Sequence, residues 1–293
     1  MSWLFIFASL NKTLLLRAGI EINPGPPPPR LSFATFNIDS LLARDGCKLP
    51  LIEGIDSVYK FDIFGICESY LTPAITNSKL IIDGFSPDPI CADSPTEGRP
   101  RGGVCLFYKD HVPLKHRPDL EVLSECIVCE ITIKKKQIFY ILAYRSTNQP
   151  PDIFESFITN LQLILDKIYS ENPFAIILTG DLNCRFPLFW DEESFESPEG
   201  NSLGNLALIN GLEQIINQPT HFPRPGVATC IDHIFTNQRN IIINSDVIPS
   251  PDPLCKHYVN HGQINLSSPS PPPYKRTIWD FNKANIPSIS DSL

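Results

Sequence analysis

Eight short runs of β-branched, aliphatic and aromatic residues recur along the 293-residue chain, and they constrain its fold more than any other feature. Runs of this length, bounded by polar and turn-forming residues, predict β-strands. Lys134–Lys136 separates two of the runs and predicts the tip of a hairpin. The eight runs are LSFATFNI (31–38), DIFGICE (62–68), GVCLFYK (103–109), ECIVCEITI (125–133), QIFYILAY (137–144), FAIILTGDLN (174–183), CIDHIFT (230–236) and IIINSDVI (241–248).

Helical periodicity appears in fewer segments. Residues 152–172 have an apolar helical face, and weaker patterns predict helices over 49–59 and over 201–217, the latter beginning at Asn201 or Ser202. The apolar face of the first segment consists of Phe154, Phe157, Leu161, Ile164, Leu165 and Ile168. The 29 prolines disfavour a helical bundle. We therefore expect an α/β (α+β) fold in which packed mixed β-sheets are covered by outer helices.

Charge and cysteine content narrow the classes of function. The net charge of −8 disfavours a protein that binds nucleic acid through bulk positive charge. Candidates for a local basic surface are Lys134–Lys136, Arg99, Arg101 and Arg145. The nine cysteines are scattered and odd in number, which predicts reduced, partly buried thiols. Cys126 and Cys129 have zinc-site spacing, but no second Cys or His pair follows them, so strand packing is the favoured interpretation.

The composition divides the chain into a leader (1–30), a domain (31–266) and a Ser/Pro-rich linker followed by the start of a connector (267–293). The apolar stretch of the leader is interrupted by polar residues and is too short for a membrane helix. We therefore expect no stable membrane association.

The leader contains the segment GIEINPGP (19–26). This segment resembles the C-terminal end of the ribosome-skipping oligopeptides of picornaviruses and some retrotransposons, with Gly19 where that family has Asp. The resemblance implies that the peptide bond between Gly25 and Pro26 is not formed during translation. A plain proline-rich linker is the alternative.

Polar side chains stand at or near the ends of the predicted strands. They are Asn37, Asp39, Glu68, Tyr144, Asp181, Asn183, Asp232 and, at the start of the last apolar run, His261. A single strand-end Asp or Asn is more often a turn residue or a helix cap. Together, however, they supply oxygen ligands for Mg²⁺, a base for water and donors for phosphoryl oxygens. This inventory suits phosphodiester hydrolysis.

Six short motifs follow one another along the body of the chain: FNIDSL, CESYL, RGGVCLFY, LAYRS, GDLN and TCIDHIF. In this order they resemble the endonuclease/exonuclease/phosphatase superfamily, and within it the apurinic-type endonuclease domain of non-LTR retrotransposons. The resemblance covers roughly Leu31 to Leu266. It implies a four-layer sandwich of two packed sheets with the active site at one edge.

The resemblance also implies a metal-binding part of the site. Glu68 would be the principal ligand of Mg²⁺, or of Mn²⁺, with Asn37 and Asp39 beside it. Asp181 would orient or deprotonate the attacking water, and Asn37 would also contact the phosphate. The chemistry agrees, because a hard divalent cation prefers oxygen donors.

A second group of residues would bind the scissile phosphate. The resemblance gives this role to Asn183 and His261, and it implies that Tyr144 donates a hydrogen bond to a phosphate oxygen. Asp232 would support the imidazole of His261. For Tyr144 and Asp232, a structural hydrogen bond within a strand is the alternative.

The last motif departs from the family pattern. The family ends this set with Ser-Asp-His, whereas this chain has Val259-Asn260-His261. Asn260 can hold an imidazole but cannot supply the charge of Asp, so we expect a slow enzyme. Strand alternation turns His233 to the face opposite Asp232, which disfavours it as a substitute. His257, four residues before His261, is a weaker candidate for the role of the imidazole.

The leading hypothesis is therefore a Mg²⁺-dependent DNA endonuclease that nicks its target to expose a 3′-OH primer for reverse transcription. Residues 276–286 (RTIWDFNKANI) resemble the connector that precedes reverse transcriptase in such elements, so a reverse transcriptase region is expected downstream in the same reading frame. We expect an intracellular protein of the nucleus and cytoplasm. A phosphomonoesterase or lipid phosphodiesterase of the same fold, and a non-catalytic remnant, are the alternatives.

Overall fold

The computed structural model describes residues 30–42, 48–75, 77–93, 101–147, 150–187 and 197–266. The predicted skipping site at Gly25 and Pro26, most of the leader and the tail from residue 267 lie outside the described residues. The division into leader, domain and connector therefore stays a prediction.

Three α-helices and fourteen β-strands form within these residues. The helices are α1 (Leu49–Tyr59), α2 (Pro151–Ser170) and α3 (Pro198–Ile209). The strands are β1 (Arg30–Asn37), β2 (Ile63–Cys67), β3 (Ile90–Ala92), β4 (Val104–Tyr108), β5 (Leu114–His116), β6 (Cys126–Ile133), β7 (Lys136–Ala143), β8 (Ala175–Asp181), β9 (Glu213–Gln214), β10 (His221–Arg224), β11 (Val227–Thr229), β12 (Asp232–Thr236), β13 (Ile242–Ile248) and β14 (Val259–Asn265). Short 3-10 helices cover Asn77–Lys79 and Arg239–Ile241.

Twelve of the strands form two six-stranded mixed sheets. The first has the order β13-β14-β1-β2-β4-β3 and the second β5-β6-β7-β8-β12-β9, while β10 and β11 form a separate hairpin. The pairs β1–β2 and β7–β8 are parallel, and the other pairs are antiparallel. The predicted fold class of packed mixed sheets with outer helices is confirmed.

The core lies in three apolar layers. Phe33 and Ile63 of the first sheet pack against Tyr140 and Ile177 of the second, which closes the space between the sheets. Helix α1 covers the outer face of the first sheet, and α2 and α3 cover the outer face of the second. Burying both faces of both sheets explains why the strand sequences are almost continuously apolar. The result is a sandwich of four layers.

This topology brings several strand ends to one edge of the sandwich. The parallel strands β1 and β2 end together at Asn37 and Cys67. In the second sheet, β12 begins opposite the last residue of β8, so that Asp232 pairs with Asp181. Polar residues that are far apart in the sequence therefore meet at this edge.

Several elements differ from the sequence-based expectations. Helix α3 begins at Pro198, because the Ser197 hydroxyl accepts a hydrogen bond from the Gly200 N–H at 2.9 Å and caps it. It ends at Ile209, before Gly211 at φ 61°, and the two residues of β9 join the second sheet instead of continuing the helix.

One further local prediction is confirmed by the structure and another is wrong. Lys134 and Lys135 form the predicted hairpin tip, both at positive φ. Cys91 and Cys105 face each other across β3 and β4 and form a disulfide, so the expectation of reduced thiols is wrong for this pair. None of the helices within the described residues has the length and apolar character needed to cross a membrane.

Candidate active site

Asn37, the last residue of β1, lies at the centre of the polar edge. Its Nδ2 donates one hydrogen bond to Glu68 Oε1 and another to Asp181 Oδ2, both at 2.8 Å. Glu68 follows β2 in the first sheet, and Asp181 ends β8 in the second. A neutral amide can donate to two acceptors at once, so Asn37 holds two carboxylates from opposite sheets within reach of one another.

Glu68 and Asp39 form the more open side of the edge. Tyr70 links them, because its phenol donates to Glu68 Oε2 and lies 3.2 Å from Asp39 Oδ1. The Lys48 ammonium donates to the Ile38 carbonyl at 2.6 Å and to the Asp39 carbonyl at 3.2 Å, which ties down the loop that carries Asp39. Sequence reasoning missed Tyr70, although its place two residues after Glu68 in CESYL was the available signal.

The backbone at this edge adopts an unusual conformation. Asp39, Glu68, Tyr70 and Asn183 all have φ between 47° and 54°. For a residue with a side chain this left-handed region costs energy, and it persists only where the surrounding structure imposes it. The chain thus turns sharply at the end of each strand, which directs these side chains to the same edge.

Asp181 is the most buried carboxylate of the group, with only 1% of its surface exposed. Burial raises its pKa to about 8, and the negative charge of Asp232 acts in the same direction. The Asn183 N–H donates to Asp181 Oδ1 at 3.1 Å. Gly180 before it is at φ 140°, and a Cβ there would lie 1.8 Å from the Ala143 carbonyl oxygen, so only glycine fits.

Tyr144 follows β7 and reaches the same edge. Burial raises the pKa of its phenol, and the charges of Glu68 and Asp181 add to this effect. Tyr144 therefore stays protonated and can donate a hydrogen bond. Its backbone N–H donates to the Glu125 carbonyl at 3.0 Å.

The neighbouring Arg145 does not belong to a basic surface. It is buried, and its guanidinium donates to the backbone carbonyls of Leu182 and Asn183. The expectation that Arg145 contributes to a local basic surface is therefore wrong. Asn183 Nδ2 in turn donates to the Arg145 carbonyl at 2.7 Å. Arg145 thus stabilises the loop that carries Asn183.

The imidazole at the site belongs to His257. Its Nδ1 lies 3.0 Å from Asp232 Oδ2, 3.1 Å from Asp232 Oδ1 and 3.9 Å from Asp181 Oδ2. A carboxylate only accepts hydrogen bonds, so Nδ1 carries a proton and Nε2 is left for other contacts. Burial lowers the pKa of His257, but the charge and hydrogen bond of Asp232 outweigh it and raise the pKa to about 9. The Thr220 hydroxyl also donates to Asp232 Oδ2, at 2.7 Å.

His261 lies elsewhere, which corrects its predicted contact with the phosphate and with Asp232. It pairs with Ala34 in the middle of the first sheet, and its ring lies 5.6 Å from Phe61 and 5.9 Å from Tyr59. Successive side chains of a strand point to opposite faces, so His261 faces α1 while Asn260 faces the space between the sheets. Burial lowers the pKa of His261.

Asn260 therefore does not orient a catalytic imidazole. Its Nδ2 donates to the Asp232 carbonyl at 2.8 Å, and its buried Oδ1 has no partner among the described residues. The triplet that ends on the imidazole beside Asp232 is Cys255-Lys256-His257. Compared with the expected Ser-Asp-His, the first two residues differ and the histidine is retained.

The residues fit a divalent cation on the Glu68 and Asp39 side of the edge. Both groups offer carboxylate oxygens on the more open side, with the oxygen of Asn37 nearby, and Mg²⁺ and Mn²⁺ prefer such donors. Asp181, Asp232 and His257 also lie close enough to share an ion. Asp181 and Asp232 are, however, almost fully buried, whereas Asp39 is exposed and Glu68 is half-buried.

Solved structures that resemble this fold include the following three. The endonuclease domain of TRAS1, a telomere-specific non-LTR retrotransposon, shares 17% identity over 81% of this chain and all of that chain, with a TM-score of 0.60. The AP endonuclease LMAP from Leishmania major shares 13% identity over 84% of this chain and 91% of that chain, with a TM-score of 0.67. The 3′ phosphatase NExo from Neisseria, bound to product DNA hairpin, shares 17% identity over 80% of this chain and 99% of that chain, with a TM-score of 0.59.

No protein-family profile and no curated protein matches the chain. At these identities the likeness establishes the architecture. The chain has two packed mixed sheets with outer helices, an architecture consistent with the endonuclease/exonuclease/phosphatase fold, and the three neighbours named above are two endonucleases and a 3′ phosphatase.

Proposed function

We propose that this protein is a metal-dependent phosphodiesterase that cuts DNA. One observation carries the proposal: Asn37 joins an open pair of carboxylates, Glu68 and Asp39, to a buried group that contains Asp181 and an imidazole. The first group suits a cation, and the second suits proton transfer and charge stabilisation. Hydrolysis of a phosphodiester needs both within a few ångströms of one phosphorus atom.

Each side chain has a defined task in this proposal. A divalent cation held by Glu68 and Asp39 would neutralise charge on the phosphoryl oxygens. Asp181 accepts the proton of the attacking water, and its raised pKa places it near the working pH, where a general base is most effective. Its hydrogen bonds to Asn37 and Asn183 fix its orientation.

The opposite side of the phosphate is contacted by hydrogen-bond donors. His257 presents its Nε2–H to the phosphate. The Asp232 carboxylate balances the positive charge of the imidazole, as a carboxylate does for a catalytic histidine in other hydrolases. The phenol of Tyr144 is a second donor. Asn183 lies at the same edge, and we propose that it contacts the scissile phosphate directly.

Nicking of supercoiled plasmid tests the proposal. We expect conversion to the open circle with Mg²⁺ or Mn²⁺ and none with EDTA. Glu68→Gln should lower the rate at least about 100-fold, since an amide is a poor ligand for a hard cation. Glu121→Gln, a carboxylate paired with His116 away from the edge, is the matched control and should nick normally. Folded wild-type protein that never nicks DNA would contradict the proposal.

We further propose that the substrate is the target DNA of a non-LTR retrotransposon, nicked to prime reverse transcription. The likeness to the TRAS1 endonuclease domain and the connector-like sequence of residues 276–286 support this. It predicts a reverse transcriptase region downstream in the same reading frame. It also predicts that the protein acts in the nucleus and cytoplasm. Sequencing of the adjoining DNA tests it, and a flanking region without a reverse transcriptase would contradict it.

The leader belongs to the same proposal. Translation of the full chain in a cell-free system should give two products, the second beginning at Pro26. Pro26→Ala should abolish the second product. A single product from both templates would leave the leader as a plain linker.

Removal of a 3′ phosphate is the second candidate reaction. It is favoured by the likeness to the Neisseria 3′ phosphatase, and the same donors and cation would serve a terminal phosphate. Release of inorganic phosphate from a 3′-phosphorylated duplex, with intact plasmid left uncut, would favour this reaction over nicking.

A further inference from the structure

The β10–β11 hairpin is joined to the segment that carries His257. The Phe222 N–H donates to the Lys256 carbonyl, and the Tyr258 N–H donates to the Thr220 carbonyl, both at 2.8 Å. The rings of Phe222 and Tyr258 are in contact, with centroids 4.3 Å apart and planes inclined by 34°. This pairing fixes the position of His221, which lies directly across from His257.

The imidazole of His221 lies against the imidazole of His257. The ring centroids are 4.4 Å apart and the planes are inclined by 33°. His221 is itself held in place, because its Nδ1 lies 3.1 Å from Thr229 Oγ1 on the other strand of the hairpin. The described structure thus holds His257 at two points, a hydrogen bond to Asp232 at its edge and a ring on its face.

These two contacts restrain different motions. A hydrogen bond from Nδ1 to a carboxylate fixes one atom of the imidazole but lets the ring swing about the N–H···O direction. A ring packed against its face restrains that swing and hence the direction of Nε2. For catalysis the direction matters, because a misplacement of about 1 Å can cost roughly 100-fold in rate.

We infer that His221 is a positioning residue that holds the plane of His257, so that Nε2 of His257 points to the scissile phosphate. The inference rests on the proposed function. Burial lowers the pKa of His221 to about 4, and the charge of His257 acts in the same direction. His221 is therefore neutral when His257 is charged, and a neutral aromatic face next to a cation is a favourable contact.

Three variants separate positioning from general support of the hairpin. His221→Ala removes the ring that packs against His257, and we expect the kcat for nicking to fall about 10-fold with KM nearly unchanged. His221→Phe keeps a ring and should stay within about 3-fold of wild type. Phe222→Ala removes the neighbouring ring of the same hairpin, which packs against Tyr258, and should also stay within about 3-fold of wild type.

A double variant adds a second criterion. If His221 acts through His257, then His221→Ala should cost nothing further in a protein that already carries His257→Ala. A further 10-fold loss in that background would overturn the inference. So would an equal loss in His221→Ala and Phe222→Ala, since that pattern reports loosening of the hairpin.

One readout does not depend on nicking. The hydrogen-bonded Nδ1–H proton of His257 should give a low-field NMR signal in wild type and in His221→Phe. In His221→Ala we expect this signal to broaden or vanish through faster exchange with water. An unchanged signal would overturn the inference even if the enzyme nicks DNA. A lost signal in a protein that fails to nick would contradict only the proposed function.

Discussion

Replacing Asp232 with Asn tests the charge coupling between Asp232 and His257. In the wild-type protein, burial lowers the pKa of His257, but the Asp232 carboxylate raises it from 6.5 to about 9. Asn at position 232 retains a group of similar size that can still accept the Thr220 hydroxyl. It removes the largest charge that raises this pKa and leaves the smaller effects of Asp181 and Glu68 to oppose burial. We expect the pKa of His257 to fall toward 6.5.

This difference has a definite size and sign. At about 1.4 kcal/mol for each pH unit, the change from 6.5 to about 9 is worth about 3 kcal/mol of folding free energy. The folded pKa lies above the unfolded one, so the folded protein holds the proton more tightly. The stabilisation is therefore complete below pH 6.5 and is lost as the pH rises through about 9.

Urea denaturation at two pH values measures the effect. At about pH 6, Asp232→Asn should lower the free energy of unfolding by about 3 kcal/mol, and at about pH 10 by about 1 kcal/mol. Glu121→Gln, which breaks the more exposed pair with His116, should cost less than about 1 kcal/mol at either pH. An equal loss at both pH values in Asp232→Asn would refute the reasoning, because it would report packing rather than charge.

Two further predictions follow from the same edge. Asn260→Asp should lower the free energy of unfolding by at least about 2 kcal/mol, because it removes the donor to the Asp232 carbonyl and places a charge in a fully buried position. A variant as stable as wild type in urea denaturation would contradict this. Asp181→Asn should cut nicking at least about 100-fold, yet above about pH 8 it should raise the free energy of unfolding by about 1 kcal/mol or more. The reason is that burial opposes the charge of Asp181, so the wild-type protein loses stability as the pH rises from 3.8 to about 8. An Asp181→Asn variant that nicks normally would exclude Asp181 as the base.

Much of the fold could be predicted because its signals are local. Each central strand is a short apolar run, and buried sheets require such runs regardless of the rest of the chain. Helix α1 was predicted with its observed bounds, Leu49–Tyr59. The short edge strand β9 was not predicted, since its two residues carry no pattern of their own and pair only because β12 lies beside them.

The candidate site shows where sequence reasoning stops. The motifs that end the central strands identified Asn37, Glu68 and Asp181 as neighbours, and the structure brings these three together. The histidine could not be identified in this way, because the two candidates, His257 and His261, lie only four residues apart in the sequence. Which of them faces Asp232 depends on where β14 begins, and that depends on pairing with β1 and β13.

Nicking rates of His257→Ala and His261→Ala, measured side by side under single-turnover conditions with Mg²⁺, test the central claim most directly. The account predicts that His257→Ala loses at least about 1,000-fold, since the donor to the phosphate and the partner of Asp232 are both removed. His261→Ala should stay within about 3-fold of wild type, because its ring packs on the far face of the sheet. A severe loss in His261→Ala with normal nicking by His257→Ala would contradict the account.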